Sequence, residues 1–136
     1  MQSRAIEYLN KDRLHHIDML EALKNEEAKL LYADDEGVLI QSKDYGAYLI
    51  STDSDALLDK LCGMMDAPLL ITAHQTRFLP LLSERFGLNS HNECLQCAYF
   101  LSSKLEERIP DGIELKKLSL DETDFVLAHY ENIPIR

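Results

Sequence analysis

The spacing of apolar positions changes several times along the chain. Between Lys11 and Glu27, Leu14, Ile17, Met19 or Leu20, and Leu23 recur at helical intervals, with Asp18, Glu21 and Lys24 between them. This predicts a helix with one buried face, capped at Asn10 and preceded by a short helix from Ile6 to Leu9. From Ala28 the pattern shortens. Ala28–Ala33, Val38–Gln41 and Ala47–Ser51 are brief apolar runs separated by Asp34-Asp35-Glu36-Gly37 and Lys43-Asp44-Tyr45-Gly46. Two tight turns between such runs predict an antiparallel meander, with Gly37 providing a positive φ in the first turn.

Helical spacing returns at Thr52. Asp53 is the expected N-cap, Asp55 favours the helix dipole, and Leu57, Leu58, Leu61, Cys62 and Met65 form a buried stripe. After Pro68, Leu69–Thr72 reads as a short apolar strand, covered on both faces and compatible with a parallel neighbour. A helix follows over residues 75–86, stopped by Gly87. Pro80 within it implies either a kink or a start nearer Leu79. Residues 93–102 read as a long strand and residues 104–112 as a polar linker. Ile113, Leu115 and Leu118 suggest another strand. Asp121 then caps a last helix, with Leu120 and Phe125 as a hydrophobic staple. The resulting fold class is α/β: a mixed, mostly antiparallel sheet flanked by helices, in the order α-α-β-β-β-α-β-α-β, then a β-α tail. The expected domains are 1–104, a linker at 105–112, and the start of a second unit at 113–136.

Bulk composition narrows the function classes. With 46% hydrophobic and 28% charged residues over 136 positions, the chain is globular and long enough for one domain plus the start of another. A net charge of −10, with no Lys/Arg cluster to offset it, argues against a nucleic-acid partner. No apolar run approaches the ~20 residues that span a bilayer, so no membrane partner is expected. The opening MQSRAIEYLNKDR lacks the apolar core of a signal peptide. Together with three cysteines, read as reduced thiols, this places the chain in the cytoplasm.

Candidate chemistry is sparse. Cys94 and Cys97 have the spacing of a zinc or redox pair, but inside a strand they face opposite sides. His15 and His16 point about 100° apart on a helix and read as packing or solvent residues. His74 precedes a helix, and His129 reads as a surface residue; none has a recognisable nucleophile context. Asp34, Asp35 and Glu36 lack calcium-loop spacing and read as a solvated turn. Glu93, Glu106 and Glu107 have no visible partner for general-base work. Tyr45, Tyr48, Tyr99 and Phe100 read as strand residues, in the core or along a cleft wall. No catalytic, cofactor-binding or metal-ligating residue is assigned.

Five segments carry a family resemblance: AIEYLNKDRLHHIDMLEAL, LLYADDEGVLI, GAYLIS, FGLNSHNECLQCAYFL and IELKKLSLDETDFVLAHYENI. With the element order, they resemble the N-terminal half of a bacterial group of GNAT-family N-acetyltransferases, in which a degenerate GNAT-like half precedes a catalytic one. The likeness covers nearly the whole chain as overall texture rather than as a catalytic signature. It implies that the complete enzyme moves an acetyl group from acetyl-CoA to an amine. It implies too that residues 113–130 open the catalytic half. The family's acetyl-CoA loop, Gln/Arg-x-x-Gly-x-Gly/Ala, has no counterpart here. The matching corner reads Ile50-Ser51-Thr52-Asp53-Ser54-Asp55, with no glycine for close backbone approach to a diphosphate and with two carboxylates that repel one. The chain is therefore expected to bind no cofactor itself. Its partner would be a catalytic GNAT half or a second copy of itself, and the alternative is a stand-alone GNAT-like binding or dimerisation module.

Overall fold

The computed structural model describes residues 1–97, 111–114 and 116–129. The chain divides into two compact units, Met1–Ala98 and Tyr99–Arg136.

The first unit is a four-stranded mixed sheet between two helical layers. Strands β1 (Ala28–Ala33), β2 (Gly37–Ser42) and β3 (Tyr48–Thr52) form the antiparallel meander, and β4 (Ile71–Ala73) pairs with β3 in parallel, giving the order β1-β2-β3-β4. Helices α1 (Gln2–Leu9) and α2 (Ile17–Lys24) precede the sheet. Helix α3 (Asp55–Cys62) connects β3 to β4, and α4 (Leu79–Phe86) follows β4.

Strand periodicity sorts the core into two layers. Leu39, Tyr48 and Ile50 point to one face and pack with Leu57, Leu58, Leu61, Cys62 and Met65 of α3 and its exit, and with Phe78 and Leu82 beside α4. Val38 and Ile40 point to the other face, against Ala5, Tyr8 and Leu9 of α1 and Met19 and Leu23 of α2. In β1 the register shifts between Leu30 and Tyr32. The extra residue, Leu31, restores the parity that turns both Ala28 and Ala33 toward the α1–α2 layer.

Several expectations need correction. The predicted helix over Lys11–Glu27 is shorter. A 3₁₀ turn at Asn10–Asp12 and a bent segment separate α1 from α2. Asn10 ends α1 rather than starting α2, and its side-chain amide donates to Ile6 O at 2.8 Å. The buried stripe of α2 is Met19 and Leu23, whereas Leu14 and Ile17 are exposed. Ser54, not Asp53, caps α3, accepting the Leu57 N–H. The fourth strand starts at Ile71, leaving Leu69 and Leu70 exposed. A 3₁₀ turn over Thr76–Phe78 precedes α4, so Pro80 sits in the first turn, where a missing N–H costs nothing. Gly87 ends α4 at φ 63°. Residues 93–97 are irregular and exposed rather than a strand; residues 98–102 lie outside the described residues, as does most of the expected linker.

In the second unit the described residues hold a 3₁₀ turn (Leu120–Glu122) leading into α5 (Thr123–His129). Ser119, rather than Asp121, is the N-cap, in a reciprocal capping box with Glu122. Leu120 and Phe125 are both exposed and form no staple. Ile113 and Leu118 lie in irregular backbone rather than a strand, and Leu115 lies outside the described residues.

Gly37 is required for space, not for a positive φ, which Gly46 adopts at 62° in the next turn. A Cβ on Gly37 would lie 2.8 Å from Ser51 O and 2.9 Å from both Leu57 Cδ2 and Thr52 Cβ. Gly37→Ala is therefore expected to push β2 off β3 and α3 and to destabilise the chain by roughly 1–3 kcal/mol in urea denaturation. An unchanged midpoint would contradict that packing.

Candidate functional site

The distinctive chemistry of the first unit gathers where β3 ends, on the face covered by α1 and α2. Alternation along β3 turns Ser51 to that face, one position after Ile50 points the other way. Ser51 is fully buried, and its Oγ meets three side chains. His16 Nε2 lies at 2.7 Å, Gln75 Nε2 donates at 3.1 Å, and the Tyr8 hydroxyl lies at 3.3 Å. His16 Nδ1 is 3.2 Å from Leu9 O. A carbonyl only accepts, so that contact places the proton on Nδ1 and leaves Nε2 to accept from the Ser51 hydroxyl. One serine thus joins α1, the turn before α2, the end of β3 and the segment after β4.

His74 stands beside this clasp and continues the β3–β4 ladder, its N–H donating to Ile50 O at 3.1 Å. Its ring Nδ1 is 3.2 Å from the same carbonyl, and its Nε2 is 2.9 Å from Asp18 Oδ1. Both ring nitrogens face acceptors, so only the doubly protonated ring satisfies both contacts. The His74 side chain is 4% exposed and that of Asp18 36%. His15 Nε2 donates to His74 O at 3.0 Å. The three imidazoles lie 5.1–5.2 Å apart, centroid to centroid.

The electrostatics follow from this packing. Burial is the largest influence on His16 and, with the neighbouring charges of His74 and His15, holds it below its ordinary value. Burial pushes the Asp18 carboxyl up, but the hydrogen bond and charge of His74 and nearby backbone N–H groups outweigh it, leaving Asp18 below the usual carboxylate range. Burial also raises the Tyr8 hydroxyl and the Cys62 thiol. Both depressed groups have the same sign in linkage. The stability His16 contributes is full above its ordinary value of 6.5 and is lost as the pH falls toward its lowered folded value. That of Asp18 is present above 3.8 and is lost as the pH falls through its own.

A cavity of about 350 Å³ opens beside the clasp, lined by Lys11, Asp12, His15, Asp53 and Gln75 together with Tyr8 and His16. Its size falls in the range of small-molecule sites. Its buried groups are already engaged, and among the described residues no buried side-chain polar atom lacks a partner.

The corner from β3 into α3 is closed by its own side chains. The Thr52 N–H donates to Gln75 Oε1 at 3.0 Å, the Ser54 N–H to Thr52 Oγ1 at 3.0 Å, and the Leu57 N–H to Ser54 Oγ at 3.3 Å. Arg77 donates to Asp53 O and pairs with Asp55 at 3.1 Å. The Ser51–His16 contact has the geometry of a nucleophile and its base, yet the serine is fully buried and saturated and the adjacent Thr52 N–H is taken by Gln75. The arrangement is a structural clasp.

Sequence reasoning kept these residues apart. His16 and His74 are buried members of one network, and Ser51 was not singled out at all. The available signal was its parity: a polar residue turned to the same face as Val38 and Ile40. His129 is exposed and stacks on Phe125 at 4.2 Å. Cys94 and Cys97 are exposed on irregular backbone, which removes the argument that a strand holds them apart. Asp34 orders the first turn, accepting from the Glu36 and Gly37 N–H groups at 2.8 and 3.0 Å. Tyr45 is exposed in a turn rather than on a strand, while Tyr48 is in the core. Glu93 is exposed; Tyr99, Phe100, Glu106 and Glu107 lie outside the described residues. No helix among the described residues is long and apolar enough to cross a membrane. No protein family, curated protein or solved structure matches the chain.

Removing the central hydroxyl tests the clasp. Ser51→Ala leaves His16 Nε2, Gln75 Nε2 and the Tyr8 hydroxyl without their shared partner, at an expected cost of roughly 1–3 kcal/mol. Urea denaturation near neutral pH measures it, and wild-type stability in the variant would contradict the clasp.

Proposed function

We propose that this chain is a non-catalytic, GNAT-like portion of an N-acetyltransferase, one that neither holds acetyl-CoA nor carries out transfer. Two features support the reading. The order of two helices, a three-stranded meander, a helix, a parallel strand and a helix follows the order the family resemblance implies up to its last strand, expected at 93–102, of which residues 93–97 are irregular. The observation that carries the non-catalytic part is the chemistry of the β3–α3 corner, which has two carboxylates, no glycine and three N–H groups already committed. A diphosphate held at such a corner needs several free backbone N–H groups aimed at it. Here the Thr52, Ser54 and Leu57 N–H groups are committed to Gln75, Thr52 and Ser54, and the Asp53 and Asp55 carboxylates oppose an anion. In the complete enzyme, a catalytic half would move the acetyl group to a primary amine by direct attack. This portion would shape the acceptor pocket or cover one face of that half.

A second reading, a stand-alone binding or dimerisation module, is favoured by Leu69 and Leu70, which are 93% and 57% exposed at the entrance to β4.

Calorimetric titration of the chain with acetyl-CoA separates the first reading from an active acyltransferase. No saturable heat is expected, and tight binding would overturn the proposal. A dimer in light scattering that Leu70→Ser dissociates would favour the module instead.

A further inference from the structure

The segment between α1 and α2 is fastened differently from the helices it joins. Leu9, Met19 and Leu23 anchor those helices in an apolar layer. Residues 10–15 are all exposed. The segment is tied down by His16, caught between Leu9 O and Ser51, by His15 on the His74 carbonyl at 3.0 Å, and by Lys11 on Asp35 O at 2.8 Å. The Gln96 amide also reaches the His15 carbonyl at 2.7 Å, and the two imidazole ties both stand within 5.2 Å of the His74 ring.

We propose that His15, His16 and His74 form an acid-sensitive latch that closes the 10–16 segment over the end of β3 near neutral pH and releases it on acidification, opening the adjoining cavity. In the closed state Asp18, 2.9 Å from His74 Nε2, is the carboxylate that faces the cluster. A proton on His16 places positive charge 5.1 Å from the His74 ring, inside a buried site that, among the described residues, holds no carboxylate of its own. Among the described residues, Asp18 is the only carboxylate hydrogen-bonded to any of the three rings. Asp12 accepts from the His15 backbone N–H, while Asp53 and Lys11 line the cavity. From α1, Tyr8 offers only its hydroxyl.

The opening force is charge, not a lost hydrogen bond. If the Ser51 hydroxyl turns to donate to the Tyr8 hydroxyl, it can accept from a protonated His16, so the contact itself survives. Positive charge in a half-dry pocket remains costly, and swinging the segment outward lets the His16 ring recover its hydration. The apolar anchoring of α1 and α2 confines the movement to the residues between them. The burial and neighbouring charge that depress His16 act in the same direction. The latch stands on this geometry alone, whether or not the chain belongs to an acetyltransferase.

Native-state hydrogen exchange read by mass spectrometry tests it on the whole chain, between about pH 7 and about pH 5, with intrinsic exchange rates corrected. Protection of the 10–16 peptide is expected to fall on the order of tenfold, the effect of one unit of differential protonation, while the α3 peptide holds steady. His16→Gln keeps polar groups beside Ser51 and Leu9 O but does not titrate, and it is expected to abolish the fall. In the wild type, the midpoint of the fall should coincide with titration of the His16 ring followed by NMR. Constant protection of 10–16, an equal loss in α3, the same fall in His16→Gln, or midpoints that disagree would each overturn the latch.

Discussion

The first unit depends on one buried hydroxyl. Ser51 Oγ is where four separate stretches of chain meet through side chains, while α1 and α2 bury their apolar residues against the same face and Asp18 of α2 pairs with His74. Apolar contact fixes distance but not register. A serine that must accept from Gln75 and Tyr8 while donating to His16 admits one arrangement of all three. The two faces of β3 divide the work. Tyr48 and Ile50 drive burial against α3, and Ser51 specifies how the N-terminal helices dock.

This constraint extends into the corner where β3 becomes α3. Gln75 uses both ends of its amide, giving Nε2 to Ser51 and accepting the Thr52 N–H on Oε1. The backbone donor nearest the clasp is thereby consumed, and the Thr52 and Ser54 hydroxyls take the Ser54 and Leu57 N–H groups. An anion at this corner would have to approach the Asp53 and Asp55 carboxylates. The corner has the topology of a phosphate-binding turn and the chemistry of a helix cap.

The meander and α3 were readable from the sequence because local rules agree there. Brief apolar runs, short polar turns and a leucine stripe all point to the same elements. Elsewhere a single residue broke the pattern. His16 occupies a position that a periodic reading gives to an aliphatic residue, and its partners lie 35 and 7 positions away in the chain. The predicted long helix therefore ran through a segment that bends. Caps slipped because Asp53 and Asp121 look as suitable as the serines that serve, Ser54 and Ser119. Gly37 was recognised as a turn glycine, but its reason is the Ser51 carbonyl and the Leu57 side chain, neither of which is near in sequence. The clasp itself was hidden because Ser51, read alone, is a strand-end serine.

Long-range ¹⁵N NMR of the histidine rings near neutral pH reads the protons on which the clasp depends. The account predicts that His16 is neutral with its proton on Nδ1 and its Nε2 accepting from Ser51. A His16 ring carrying its proton on Nε2 would contradict the arrangement around Ser51.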